Sequence, residues 1–94
     1  MRRMLVAAAS AALLAGCGGT TRSGRALFAQ DCDACHTISG ADSPSHQGGD
    51  LLRLRLPRPV LLQFMREMPV HPRPDDAQLQ RIADYILGAQ RRAR

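Results

Sequence analysis

The chain holds no tryptophan and no lysine, three aromatic residues in all (Phe28, Phe64 and Tyr85), three cysteines, and no apolar run long enough to span a bilayer. Each shortage closes off a class of function. All 13 basic residues are arginine, but they are dispersed, and no aromatic side chains stand among them as a base-stacking surface needs; nucleic acid is therefore not an expected partner. The formal charge of +5 also overstates the basicity: residues 1–16 hold Arg2 and Arg3, and without them 11 arginines face 8 acidic residues, a net +3. No grouping of acid, base and nucleophile points to an enzyme. Asp75-Asp76 reads as a helix start rather than a catalytic pair, and no small-molecule substrate is expected. A 94-residue chain has room for one domain. With so few large side chains, its core needs help from a disulfide, a metal or a cofactor.

What is present begins with an export pattern over residues 1–16. Met1-Arg2-Arg3-Met4 supplies the charged start, and Leu5 to Leu14 supplies a short apolar run. The run ends in Leu14-Ala15-Gly16-Cys17, which resembles the lipobox of bacterial lipoproteins. That resemblance implies cleavage before Cys17, lipid on its thiol, and a lipid-anchored location on the periplasmic side of a bacterial membrane. An ordinary secretory peptide cut nearby is the alternative. Residues 17–23 are then the lipidated cysteine and a flexible tether, Gly18 to Ser23, with a reach of roughly 20 Å at about 3.3–3.6 Å per residue. Residues 24–94 form the domain.

Within that domain, Ser23 is placed to cap a first helix from Gly24 to about Cys35. Residues 37–50 are polar, rich in Ser, Gly and Asp, and predict a long loop wrapped around something. Leu51 to Leu56 alternates Leu and Arg; with no second strand to pair, it predicts a ragged helical turn. Pro59 suits the first turn of a helix running through Val60, Leu61, Leu62, Phe64 and Met65. Pro69, Pro72 and Pro74 predict a stiff connector. Asp75 with Gln78 has the capping-box spacing for a last helix, whose apolar face is Leu79, Ile82, Ala83 and Ile86.

The segment Asp31-Cys32-Asp33-Ala34-Cys35-His36 gathers two of the three cysteines and one of the three histidines. Cysteines at this spacing can form thioethers with the two vinyl groups of haem, while the adjoining histidine binds the iron. Three other chemistries share the pattern. A thioredoxin-like dithiol wants a βαβ setting, and no such setting is visible. Structural zinc needs a fourth ligand, which His46 or His71 would have to supply. A Cys32–Cys35 disulfide suits an exported protein but closes a tiny loop and stabilises little. Haem c accounts for the most: with lipid on Cys17 and thioethers on Cys32 and Cys35, every thiol has a use.

Gly24 to His36, GRALFAQDCDACH, resembles the N-terminal helix and haem-binding motif of small class I c-type cytochromes, and the likeness runs to the end of the chain. The resemblance implies an all-α, small cytochrome c fold, with N- and C-terminal helices crossing and loops and short helices wrapped around one covalent haem. It implies Cys32 and Cys35 as the attachment sites, His36 as the proximal iron ligand, and Gly24, Phe28 and Tyr85 as the helix-crossing contacts. The family's distal ligand is a methionine in a Met-Pro pair, and Met68-Pro69 stands at that place; Met65 and His71 are the other candidates. One feature departs from the family. Its Gly-Pro-x-Leu, whose proline carbonyl accepts a hydrogen bond from the proximal histidine, is here Gly48-Gly49-Asp50-Leu51. A glycine carbonyl can still accept that bond, from a less rigid loop, and Pro44 is the substitute if the loop shifts.

Iron held by His and Met has no open position, so the expected function is a membrane-tethered monohaem electron carrier serving redox protein partners. Arg53, Arg55 and Arg58 are candidates for steering an acidic partner or for sitting against anionic headgroups. The alternatives are a haem module that binds or senses a gas through a labile distal ligand, and a non-haem structural lipoprotein with a Cys32–Cys35 disulfide.

Overall fold

The computed structural model describes residues 21–94; the expected export signal and the Cys17 lipid site lie outside them. Among the described residues there are three helices and one short parallel bridge. Helix α1 spans Gly24–Asp31, and Ser23 caps it: the Ser23 Oγ accepts the Ala26 N–H at 3.1 Å and the Ser23 carbonyl accepts the Leu27 N–H at 3.0 Å. The helix ends before the expected Cys35. The N–H groups of Cys32 and Asp33 both turn back to the Phe28 carbonyl, at 2.8 and 3.0 Å, and that closes the ladder.

Helix α2 spans Arg58–Arg66, with Pro57 extended before it and Pro59 in its first turn, where a missing N–H loses no bond. Helix α3 spans Asp76–Arg92 and starts with a reciprocal box. Asp75 Oδ1 accepts the Gln78 N–H at 2.8 Å, and Gln78 Oε1 accepts the Asp75 N–H at 2.9 Å. Arg91 and Arg92 close α3 with charges that suit the negative end of its dipole.

Both shorter helices pack on α3. The buried apolar core is Leu27 and Phe28 from α1, Leu61 and Leu62 from α2, and Leu79, Ile82, Ala83 and Ile86 from α3. The crossing of α1 and α3 turns on Gly24. A Cβ there would run into the Arg81 carbonyl oxygen and stand 3.0 Å from the Tyr85 Cβ, so only glycine lets the backbones approach this closely. One turn on, the rings of Phe28 and Tyr85 meet at 5.5 Å between centroids, tilted by 54°.

The connection from α1 to α2 differs from expectation in two places. Strand β1 (His36–Thr37) and strand β2 (Gly49–Asp50) pair in parallel, His36 opposite Gly49 and Thr37 opposite Asp50, so the polar loop is closed at its base. Beyond it, the turn is confined to Leu52 and Arg53, with the Leu54 N–H reaching back to the Leu51 carbonyl at 3.3 Å, and residues 54–57 form no regular element, Pro57 being extended. Leu54 and Leu56 are half-buried while Arg53 and Arg55 are exposed, so the Leu/Arg alternation is a period-2 burial pattern in a segment with no strand partner.

Candidate functional site

The Cys-x-x-Cys-His segment is a compact turn. The Cys32 carbonyl accepts the N–H groups of Cys35, at 3.1 Å, and of His36, at 3.0 Å, which draws the three side chains to one end of α1. Both thiols are free, Cys32 half-buried and Cys35 exposed. Burial pushes the Cys32 thiol up to about 11, and the nearby Asp31, Asp33 and Cys35 add to the effect. A redox dithiol needs the opposite shift, since the thiolate is the nucleophile. Among the described residues no three His, Cys, Asp or Glu side chains converge as a metal cluster, so the zinc alternative lacks its ligand set.

His36 has a fixed orientation. Its Nδ1 lies 3.2 Å from the Gly49 carbonyl oxygen. A carbonyl only accepts, so Nδ1 carries the proton and, in the neutral ring, the lone pair sits on Nε2, free for a metal. The two glycines opposite serve different ends. At Gly48 a Cβ would stand 2.5 Å from His36 Cε1 and 2.7 Å from the Cys35 carbonyl oxygen, so glycine makes room for the ring. Gly49 has φ of +87°, a conformation proline cannot adopt. The carbonyl therefore comes from the position where the resemblance puts proline, on a backbone that proline would forbid. Pro44 takes no part in that bond.

Two adjoining cavities of about 250 and 290 Å³ flank this turn and share Cys32, His36, Met65 and Met68 in their walls. The first is also lined by Cys35, His71 and Ile82, and the second by Leu54, Leu56 and Phe64. Together they lie in the size range of cofactor sites, roughly 300–1,000 Å³, and their walls are mostly apolar. Met65 and Met68 differ in support. Met65 sits in the last turn of α2 and packs against the core. Met68 lies past the helix end, beside Pro69, in a tight turn in which its carbonyl accepts the Val70 N–H at 2.9 Å. His46 lines neither cavity; its Nδ1 is 3.2 Å from Ser45 Oγ.

Residues 19–86 match the family described as cytochrome C oxidase, cbb3-type, subunit III. The chain belongs to that family. It is a small, all-α monohaem c-type cytochrome whose haem c, with its iron, is covalently bound, and it carries electrons between redox protein partners. No curated protein and no solved structure gives a match. The residues fit such a cofactor: two cysteine sulfurs, not joined to each other, at the edge of an apolar cleft, a histidine with its Nε2 facing away from the Gly49 hydrogen bond, and thioether sulfurs in the same walls.

Three features of the cytochrome's site escape a reading of its motifs. Asp50 gathers the loop, with Oδ1 2.8 Å from Thr37 Oγ1 and accepting the Gly40 N–H at 3.0 Å, while Oδ2 accepts the Leu52 N–H at 3.2 Å. Desolvation raises its pKa, but the hydrogen bonds from Gly40, Thr37, Leu52 and Ser39 together prevail and hold it below its ordinary value. Gln90 is buried in α3 and donates to the Leu51 carbonyl at 2.8 Å; its signal was in the sequence, as a polar residue continuing the apolar face of Leu79, Ile82 and Ile86. Arg58 is occupied: it pairs with Asp84 at 2.8 Å and donates to Gln80, which leaves Arg53 and Arg55 as the exposed members of the trio.

Proposed function

We propose that this cytochrome is a lipid-anchored electron carrier on the periplasmic side of a bacterial membrane, with His36 and Met68 as axial ligands and Cys32 and Cys35 as thioether sites. The observation that carries the reading is that these four side chains line one apolar cavity. When bound, haem supplies a one-electron couple between ferrous and ferric iron. The chain's residues supply the setting. The turn on the Cys32 carbonyl holds both sulfurs and the imidazole at the end of α1. Leu54, Leu56, Leu61 and Ile86 keep water from the cleft. Residues 1–16 direct export, residues 17–23 carry the lipid and tether, and residues 24–94 form the electron-transfer domain, which needs no substrate pocket beyond the haem cleft.

Mass spectrometry of protein from a host competent in haem attachment tests the reading. Thioether-linked haem on the peptide containing Cys32 and Cys35, with diacylglycerol on Cys17, is expected; a Cys32–Cys35 disulfide or an unmodified Cys17 would remove the corresponding part. Carbon monoxide distinguishes the carrier from a gas-binding module, because rapid, complete binding to the reduced protein means that the distal position is open. Arg53 and Arg55 are proposed to steer an acidic redox partner, so the exchange rate should fall as salt rises; a rate indifferent to salt removes that role.

A further inference from the structure

A histidine on iron acts according to how its other nitrogen is held. Here the holder is a glycine carbonyl at φ of +87°, a conformation that gives the backbone no stiffness of its own. Something else keeps that carbonyl in place. The candidate is found on the residue that follows it.

Asp50 is tied from five directions. Its N–H donates to Asp42 Oδ1 at 2.8 Å, and its carboxylate gathers Thr37, Gly40 and Leu52 as described above. Thr37 is the residue directly after His36 and pairs with Asp50 across the bridge, so the carboxylate joins the two strands next to the His36–Gly49 contact. The fifth tie is through Leu51. Its N–H donates to the Thr37 carbonyl at 2.8 Å, and its own carbonyl accepts from Gln90, which fastens the segment to α3. The two residues that follow Gly49 are thus held, Asp50 by its carboxylate contacts and Leu51 by Thr37 and by Gln90 of the last helix.

We propose that Asp50, anchored through Leu51 to Gln90, is the positioning residue for the His36 imidazole, fixing by side-chain hydrogen bonds the carbonyl that the backbone at Gly49 leaves free to move. This rests on His36 being an iron ligand. A firmly held acceptor makes the ring more basic, which favours ferric iron; loosening the clamp raises the reduction potential.

The experiment compares holoprotein variants by potentiometry, thermal unfolding, and the NMR signal and solvent exchange of the His36 Nδ1 proton. Asp50→Ala should change the ferrous-to-ferric ratio at fixed potential on the order of 10-fold in favour of ferrous iron, about 59 mV upward for one electron, and should speed exchange of the proton. Gln90→Leu should move both in the same direction. Asp50→Asn keeps the Oδ1 acceptor and should fall between Asp50→Ala and the parent, which preserves the test if Asp50→Ala folds poorly. Asp75→Ala, which weakens the α3 cap far from the clamp, is the stability control and should leave the potential unchanged. An Asp50 series that loses stability but moves the potential no more than Asp75→Ala, with proton exchange unaltered, would overturn the proposal. A His36→Ala holoprotein with the parent's axial-ligand spectrum would instead show that the ligand reading beneath it is wrong.

Discussion

Helix α1 meets α3 through a core in which Leu27, Phe28, Ile82, Ala83 and Ile86 are buried, whereas residues 37–56 contain no fully buried side chain and hold together by hydrogen bonds converging on Asp50. Both regions bound the same cleft, yet they resist different insults. Dense apolar packing fails when volume is added, because its neighbours have nowhere to go. A polar loop can take up added volume, but it fails when an acceptor is removed or a backbone angle is forbidden. The family's small core is therefore completed here by two unlike devices, and substitutions can tell them apart.

The largest effect is expected at the crossing. Gly24→Val forces a side chain against the Arg81 carbonyl, which is helix backbone and cannot swing aside. Thermal unfolding of the holoprotein should show a loss of about 3 kcal/mol, the upper end for overpacking. A loss well under 1 kcal/mol would mean that the helices do not approach as closely as described.

On the loop side, Gly49→Pro asks for a φ near −65° where the backbone has +87°, and it deletes the N–H that donates to the His46 carbonyl at 3.0 Å. Although proline is the family's usual residue at this point, the variant should be less stable by about 1–3 kcal/mol. Equal or greater stability would show that the loop reaches the family's conformation without strain.

Asp50→Asn should have the smallest effect, about 1 kcal/mol at neutral pH, and that effect should depend on pH. The folded pKa of Asp50 lies below its ordinary value of 3.8. Its contribution is therefore complete above that value and fades as pH falls through the folded pKa. The stability gap between parent and variant should close across that acid window, measured by denaturant unfolding at a series of pH values. A gap independent of pH would place the stabilisation elsewhere.

The contrast also explains what the sequence disclosed. Side-chain periodicity marks Leu79, Ile82, Ala83 and Ile86 as one face, and Asp75 with Gln78 as a helix start, because those signals are local and repeat. The cysteines and His36 are adjacent, so their grouping is legible before any fold is known. The β1–β2 bridge joins residues 13 apart through Thr37 and Asp50, one pair among many polar side chains in a loop of similar ones. Nothing local distinguishes Asp50 from Asp42, and nothing local says that Arg58 will turn to Asp84. The Leu/Arg alternation was visible, but its period of 2 reads as inward leucine and outward arginine only when the cleft that Leu54 and Leu56 line is known.

Met65 and Met68 both line the cleft, and Met68 is the proposed iron ligand because, of the two, it alone lies outside a helix and off the packed core. The direct measurement is the charge-transfer absorption of a methionine sulfur on ferric iron, recorded for the parent, Met65→Leu and Met68→Leu holoproteins. The band is expected in the parent, retained in Met65→Leu and lost in Met68→Leu. Its absence from the parent, or its loss in Met65→Leu alone, would contradict the ligand assignment.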